Sequence, residues 1–204
     1  MLTLLIATHN EGKKREFTEL FSGLGLHLVS LKDLQISAVV PEVGVTYLEN
    51  AMIKARRYAE LSGLLTLADD SGLEVDALNG EPGVYSARFG GVNSDAERYE
   101  KLLELLEGVP ENERTARFRC VIALCQPDGS EQWVEGLCDG RITTAPRGDN
   151  GFGYDPVFWV QEAGMTMAEL PGDVKNQISH RAKAASKMRE LLEPIVAQHC
   201  RTQT

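Results

Sequence analysis

Two adjacent carboxylates, Asp69 and Asp70, follow an apolar run that extends from Leu64 to Ala68. The run predicts a short strand that ends at the acid pair. Side chains alternate along a strand and like charges repel, so we expect one carboxylate to face a cleft and the other the opposite side. A cleft carboxylate in a phosphate site can bind Mg²⁺ and can orient or deprotonate a water. An Asx-turn is an equally good interpretation of this segment.

A second polar group, Thr8, Asn10 and Lys13, lies where a buried strand over Leu2 to Ala7 leads into a predicted helix. The N-terminus of a helix offers backbone N–H groups and partial positive charge, so a triphosphate could bind there. The segment lacks the Walker A and Gly-x-Gly-x-x-Gly patterns, which argues against the common nucleotide-binding loops. The alternative is that Thr8 and Asn10 only cap the helix and Lys13 is a solvated charge.

A glycine with an aromatic residue on each side occurs in the segment Gly151 to Pro156. The backbone can approach a flat ligand closely there while a ring stacks on it, which suits a purine base. A tight turn whose aromatics fill the core is the alternative. Lys175 and the run Ser179 to Arg181 add cationic and hydrogen-bonding groups that could bridge phosphate and base, unless they are ordinary solvated charges at a helix start.

The predicted elements alternate between strand and helix at first and then include a hairpin. Capping boxes formed by Thr46 with Glu49 and by Ser94 with Glu97 predict where two of the helices begin. This order indicates an α/β protein with a mixed sheet flanked by helices. The strands are predicted at 2–7, 26–31, 64–68, 117–124, 131–138 and 157–160, and the helices after residue 13 and at 46–62, 95–106 and 176–198, the last kinked or ended by Pro194.

Composition restricts the classes of function. The chain has 204 residues, long enough for one domain with two lobes, and its net charge of -9 has the wrong sign for a nucleic-acid or membrane partner. No apolar run approaches the roughly 20 residues that span a bilayer, and no signal peptide is indicated. The four cysteines show no zinc spacing and no signature of a catalytic thiol with a histidine, which predicts buried or incidental thiols in a reducing, cytoplasmic compartment.

Six ordered motifs together resemble the inosine/xanthosine triphosphate pyrophosphatase family, and they cover nearly the whole chain. They are T-x-N-x-x-K at 8–13, E-N-A-x-x-K-A at 49–55, A-D-D-S-G-L at 68–73, P-G-x-Y-S-A-R at 82–88, G-F-G-Y-D-P at 151–156 and I-S-H-R at 178–181.

The resemblance implies a Mg²⁺-dependent enzyme that cuts ITP, dITP and XTP to the monophosphate and pyrophosphate. It implies an elongated sheet, two lobes with the active site in the cleft between them, and a homodimer. Asp70 would be the general base and a metal ligand, with Glu42 as the supporting metal ligand. His9 departs from the family, whose members usually carry Gly there. The implied substrate-binding residues are Thr8, His9, Asn10, Glu11, Gly12, Lys13, Ser71, Phe152, Gly153, Tyr154, Asp155, Lys175, His180 and Arg181.

The implied reaction is attack of water on the α-phosphorus, with Lys13 and Mg²⁺ neutralising the leaving group. Donors such as Arg181 would favour the 6-oxo group of inosine and xanthosine over the 6-amino group of adenosine. A phosphomonoesterase with an aspartyl nucleophile would also place an Asp beside Mg²⁺, but it would release orthophosphate. A nucleotide sensor would bind ITP without turnover, and the related septum-associated nucleotide pyrophosphatases share the general architecture.

Overall fold

The structure is a computed structural model that describes residues 1–202. The strands are β1 (Leu2–Ile6), β2 (Leu26–Ser30), β3 (Leu65–Val75), β4 (Thr115–Cys125), β5 (Glu131–Ile142), β6 (Phe158–Val160) and β7 (Met165–Thr166). The α-helices are α1 (Glu11–Leu20), α2 (Tyr47–Ser62), α3 (Asp95–Leu105), α4 (Gly172–Ile178) and α5 (His180–Thr202). Short 3₁₀ segments cover Asp76–Leu78, Gly83–Gly91, Glu111–Glu113 and Asp155–Val157.

The strands form one seven-stranded sheet in the order β2-β1-β3-β4-β5-β6-β7. β1 pairs in parallel with β2 and with β3, whereas β6 pairs antiparallel with β5 and with β7. The early strand and helix alternation gives the parallel part, because parallel neighbours need a crossover connection. The predicted α/β class with a mixed sheet flanked by helices is therefore confirmed. The cleft between two lobes of a single domain stays a prediction.

The chain divides into two compact units, each with its own hydrophobic core. The first contains residues 1–70, 120–136 and the chain from 182 onward, and the second contains 71–119 and 137–181. In the first unit the side chains of β1, α1 and α5 supply core residues such as Leu4, Phe17 and Met188. In the second unit Leu73, Phe118 and Phe158 are among the buried core residues. The first core holds the elements that bear Lys13 and Asp70, and the second core holds those that bear Phe152 and Lys175.

The predicted end of the third strand at the acid pair is wrong. β3 begins at Leu65 and continues through Asp69 and Asp70 to Val75, so the pair lies within the strand. The Asx-turn interpretation fails with it, because both acids have extended backbone. The apolar run stops at Ala68, but the strand persists because the acids find buried partners, and a hydrophobic pattern contains no information about such partners.

The prediction of one C-terminal helix from residue 176 is also wrong. α4 ends at Ile178, and Ser179, with φ −67° and ψ 158°, separates it from α5. Lys175 therefore lies on α4, whereas His180 is the first residue of α5. Pro194 lies inside α5 and does not end it, since the helix continues to Thr202.

The capped helices and the hairpin agree with the sequence. Thr46 with Glu49 and Ser94 with Glu97 both form complete capping boxes, and α2 ends at Gly63, whose φ of 67° is left-handed. β4 and β5 are neighbours in the sheet and are joined by a tight turn. Among residues 1–202, no helix combines the length and the apolar character that crossing a membrane requires.

Candidate active site

The loop between β1 and α1 is held by its own side chains. Asn10 is the N-cap of α1, and its Oδ1 accepts a hydrogen bond from the backbone N–H of Lys13 at 2.9 Å. Thr8 Oγ1 accepts one from the N–H of Asn10 at 3.2 Å. Glu11 and Gly12 form the first turn with Lys13. Asn10 thus caps α1, whereas Thr8 supports the loop through the N–H of Asn10. Phosphate binding by this loop stays a prediction.

Lys13 is held by a buried acid on the neighbouring strand. Its Nζ lies 2.8 Å from Asp69 Oδ2, and the Asp69 side chain is only 1% exposed. The Cys120 thiol donates to the same oxygen, with an S···O distance of 3.9 Å. The interpretation of Lys13 as a solvated charge is wrong, because an ion pair of low exposure fixes the ammonium beside β3. Asp69 is therefore a positioning group for Lys13.

Asp70 contacts a different set of side chains from Asp69, as alternation along the strand predicts. Its Oδ2 accepts a hydrogen bond from Asn50 Nδ2 at 3.0 Å. Asn50 is fully buried on α2, and its Oδ1 accepts the N–H of Gly44 at 2.8 Å. A side chain at position 44 would lie only 2.8 Å from that oxygen, so Gly44 is needed for the close approach. One amide thus joins the loop that bears Glu42 to the Asp70 carboxylate.

Lys54, one helical turn after Asn50, bridges two carboxylates. Its Nζ lies 2.6 Å from Glu42 Oε1 and 3.8 Å from Asp70 Oδ1. Burial lowers the pKa of the Lys54 ammonium. The negative charges of Asp70, Asp69 and Glu42 together raise that pKa by more than burial lowers it, so it lies above its ordinary value. Lys54 is accordingly charged at neutral pH.

Burial dominates the ionisation of Asp70. Removal from water raises the pKa of its carboxyl, and the negative charge of Glu42 raises it as well. The ammonium groups of Lys54 and Lys13 and the hydrogen bond from Asn50 act in the opposite direction, but the net pKa is still raised. A carboxylate with a raised pKa is a stronger base than a solvated Asp, which suits it for accepting a proton from water.

His9 links the loop between β1 and α1 to a chain segment that precedes Glu42. Its Nε2 lies 3.2 Å from both the Ala38 carbonyl oxygen and the Tyr58 hydroxyl. Because Tyr58 already donates its hydroxyl proton to Ala38 at 2.9 Å, His9 Nε2 must be the donor in its own contacts. His9 therefore helps to hold the loop between β1 and α1 against Ala38 and Tyr58. Its contact with substrate stays a prediction.

In the second unit, the loop from Gly151 is built around a buried ion pair. Lys175 Nζ lies 2.6 Å from Asp155 Oδ2, and both side chains are almost fully buried. The same carboxylate oxygen accepts the backbone N–H of Phe152 at 3.0 Å. Gly151 has a φ of +80°, and a side chain on it would overlap Asp155 Oδ2 and lie 3.0 Å from Lys175 Nζ. Only glycine fits at this position.

The Phe152 ring is bordered by cations. Lys175 Nζ lies 5.0 Å and Arg181 Cζ 5.5 Å from its centroid, distances at which a cation is attracted to an aromatic face. Arg181 is 2% exposed and its Nη2 donates to Ser71 Oγ at 3.1 Å. His180 stacks on Phe118 with 4.7 Å between ring centroids. The solvated-charge interpretation of Lys175, His180 and Arg181 is therefore wrong.

Tyr154 follows the core-filling alternative instead. It is 4% exposed, belongs to the hydrophobic core of the second unit and donates its hydroxyl to the Ser86 carbonyl at 2.9 Å. Burial raises the pKa of its phenol. The two aromatics that flank Gly153 thus differ, since Tyr154 anchors the loop while Phe152 is half-buried.

The structure groups the predicted site residues within each unit and adds two, Asn50 and Lys54, that the sequence analysis did not single out. In the first unit, Asn50, Lys54 and Asp69 complete the contacts of Lys13 and Asp70. The signal for Asn50 and Lys54 was present, since both belong to the motif at 49–55 and their spacing of four places them on one helix face. In the second unit the grouped residues are Ser71, Phe152, Asp155, Lys175 and Arg181.

The oxygen donors near Asp70 suit a magnesium ion that is also bound by substrate. Asp70 and Glu42 both approach the single charge of Lys54, so these two carboxylates already face one cation. Among residues 1–202, no three His, Cys, Asp or Glu side chains form a group that could hold a metal. Mg²⁺ typically takes one or two carboxylates together with phosphate oxygens, so two acids are sufficient.

A buried cluster of carboxylates and lysines beside the N-terminus of a helix is typical of enzymes that act on phosphates. Residues 4–191 match the model of the Ham1 family. The chain is 50% identical to the dITP/XTP pyrophosphatase of Geobacillus kaustophilus over 204 residues, which is the full length of both proteins.

Solved structures agree with the sequence comparison. The HAM1 protein from Coxiella burnetii has a TM-score of 0.85 and 42% identity, covering 94% of this chain and 98% of that one. The Staphylococcus aureus Ham1 protein has a TM-score of 0.84 and 41% identity, with coverage of 94% and 98%. The chain belongs to the Ham1 family, which confirms the resemblance found in the six motifs.

Proposed function

We propose that this protein hydrolyses non-standard purine nucleoside triphosphates, namely dITP, ITP and XTP, to the monophosphate and pyrophosphate, and thereby keeps them out of DNA and RNA. Relatives of nearly equal length and about half-identical sequence bear the name dITP/XTP pyrophosphatase. The observation that carries the proposal is the Asp70 carboxylate, which is buried, hydrogen-bonded by Asn50 and close to Lys54 and Glu42.

In this mechanism Asp70 accepts a proton from a water that attacks the α-phosphorus. A bond forms between the water oxygen and phosphorus, and the bond from phosphorus to the bridging oxygen breaks, so that pyrophosphate leaves. Asn50 fixes the Asp70 carboxylate, and the raised pKa increases its affinity for the proton. Lys13 and Lys54 supply positive charge for the phosphates, with Lys13 positioned by Asp69.

We propose Asp70 and Glu42 as the residues that hold Mg²⁺. The ion would neutralise charge that develops on the phosphate oxygens, as divalent ions do in phosphoryl transfer. Lys54 already sits against the same two acids. The compact Lys54 ammonium would add positive charge beside the same two acids.

In the second unit Phe152 is proposed to stack on the base, and Arg181 to donate to its 6-oxo group. The ordered positions of Lys175 and Arg181 beside the ring support this. An adenine would present a donor to the Arg181 donor, and a buried mismatch of this kind discriminates by roughly 10⁴ or more. The Ser71 hydroxyl, which accepts from Arg181, fixes the guanidinium.

The proposal is tested by identifying the product. Purified protein is supplied with dITP, ITP, XTP, dATP or dGTP, with Mg²⁺ or with EDTA, and orthophosphate is measured before and after addition of an inorganic pyrophosphatase. We expect orthophosphate from dITP only after that addition, and only with Mg²⁺. Direct release of orthophosphate would favour the phosphomonoesterase, and tight binding without turnover would favour the nucleotide sensor.

Two further proposals rest on the family resemblance alone. We propose that the protein is a homodimer and that it works in the cytoplasm, where the nucleotide pool is found. Light scattering after size-exclusion chromatography tests the first by giving a mass of one or two chains. Fractionation of cells with an antibody against the chain tests the second.

A further inference from the structure

The loop that carries Phe152 has an anchor outside its own segment and outside the six motifs. The backbone N–H of Gly153 donates to Asp95 Oδ2 at 2.6 Å, a contact between residues 58 positions apart in the chain. Asp95 is the first residue of α3. Its other carboxylate oxygen, Oδ1, accepts from Arg98 Nη1 at 2.5 Å. Each oxygen of one carboxylate therefore has a separate partner, one on the helix and one in the loop.

The helix does not need the Asp95 carboxylate for its cap. Ser94 Oγ accepts the N–H of Glu97, and the Glu97 carboxylate accepts the N–H of Ser94 at 3.0 Å, so the capping box is complete without Asp95. The Asp95 side chain is also 47% exposed and contributes little packing. Its contact with Gly153 is therefore not part of the capping box, although the Asp95 charge also pairs with Arg98 within α3 and lies in the first turn of the helix.

This anchor acts at the point where the loop sets the orientation of the aromatic ring. Tyr154, the residue after Gly153, donates its hydroxyl to the Ser86 carbonyl, and the Asp155 carboxylate accepts the N–H of Phe152. Without Asp95, the Gly153 peptide would keep no charged acceptor, and glycine at φ 65° has wide conformational freedom. The Phe152 ring, held 5.0 Å from the Lys175 ammonium, would then occupy a broader range of positions.

We propose that Asp95 is a positioning residue for substrate binding, which orients the Phe152 ring for the base through its hydrogen bond to Gly153, with Arg98 orienting Asp95 in turn. The inference rests on the proposed function insofar as the base is that of a purine nucleotide. Asp95 contacts neither the phosphates nor the cluster of Asp70 in this scheme. Its loss is therefore expected to affect KM for the nucleotide much more than kcat.

The test compares Asp95→Ala with Asp95→Asn, and uses Glu97→Gln as a matched control on the same helical turn. We expect Asp95→Ala to raise KM for dITP about tenfold with kcat nearly unchanged, because one hydrogen bond to a charged acceptor is lost. Asp95→Asn retains an acceptor oxygen and should recover most of the loss. Glu97→Gln weakens the capping box, so it should lower the melting temperature and leave KM unchanged.

Two further readouts separate positioning from a general structural role. In a Phe152→Ala background the effect of Asp95→Ala on KM should disappear, since the ring through which it acts is missing. Amide hydrogen exchange of residues 152–154 should be faster in Asp95→Ala than in the wild type. A KM effect that persists without Phe152, or exchange that is unchanged, would overturn the inference.

The exchange measurement needs no turnover, so it separates the two proposals. If the wild-type protein releases no pyrophosphate from dITP, the proposed function fails, and faster exchange in Asp95→Ala still supports the anchor. If the wild type is active and Asp95→Ala has the KM and the exchange rate of the wild type, the anchor fails and the proposed function stands.

Discussion

Replacement of Gly151 by alanine separates two requirements of the loop from Gly151 to Pro156, a left-handed backbone and a close approach of side chains. At a φ of +80° alanine costs about 1–2 kcal/mol for the backbone alone. Its Cβ would also overlap Asp155 Oδ2 and force the carboxylate away from Lys175. Breaking a buried ion pair costs about 3–5 kcal/mol, so we expect Gly151→Ala to lose roughly 4 kcal/mol or more in total.

Gly153→Ala is the matched control. Gly153 has a φ of +65°, but a Cβ there meets no atom within 4 Å, so only the backbone cost of about 1–2 kcal/mol applies. For a chain of this size 1 kcal/mol corresponds to about 2–4 °C in Tm, which predicts a Tm at least roughly 6 °C lower for Gly151→Ala than for Gly153→Ala.

Differential scanning calorimetry of both variants measures this difference, and KM for dITP tests the proposed role of the loop in substrate binding. We expect the larger rise in KM for Gly151→Ala, because the displaced Asp155 also binds the N–H of Phe152. Equal losses of Tm in the two variants would refute the argument, since they would mean that the ion pair adjusts to the methyl group at no cost.

Three other changes test the remaining contacts. Burial raises the pKa of Asp70, so the stability that this group contributes is present below its ordinary pKa of 3.8 and is lost as pH rises through the higher folded-state pKa. Asp70→Asn should therefore raise Tm at about pH 7.5, less so toward about pH 4. Asn50→Asp, which sets a carboxylate against Asp70 Oδ2, should cost at least about 2 kcal/mol in urea unfolding. Arg181→Lys should reduce the preference for dITP over dATP in kcat/KM about tenfold or more, because it loses the planar donor fork.

Each of these results has a contrary outcome. A lower Tm for Asp70→Asn near neutral pH would show that the lysines and Asn50 outweigh the burial of the Asp70 charge. Asn50→Asp should regain stability on acidification, and a loss that is independent of pH would point to packing. Unchanged selectivity in Arg181→Lys, with Tm retained, would remove Arg181 from base recognition.

The sequence predicted the elements whose causes are local. The capped starts of α2 and α3 follow from Thr46 and Ser94 with their partner acids, which are neighbours in the chain. The end of β3 did not follow, because Asp69 and Asp70 remain in the strand only through partners on α1 and α2, far from them in sequence. Ser179 likewise breaks the C-terminal helix without a proline or glycine to signal it.

The same distinction applies to the site. Motif positions identified Asp70 and Lys13 as functional candidates, and its charge near a helix start identified Lys175. Residue type alone could not show that Lys13 pairs with Asp69 or that Tyr154 faces the core. Those properties depend on which side of a strand or loop a side chain occupies. Contacts between residues far apart in the chain determine that side, and these contacts cannot be read from one sequence without the fold.

Asp70 is the residue that we propose as the base for attack on the α-phosphorus. The most direct measurement is the rate of pyrophosphate release from dITP at saturating Mg²⁺ by Asp70→Asn, with Tm measured on the same preparation. We expect a kcat lower by about 10²–10⁴-fold in a folded protein with a Tm no lower than that of the wild type. A kcat within about threefold of the wild type would contradict it, because general-base catalysis of this size cannot be lost without effect.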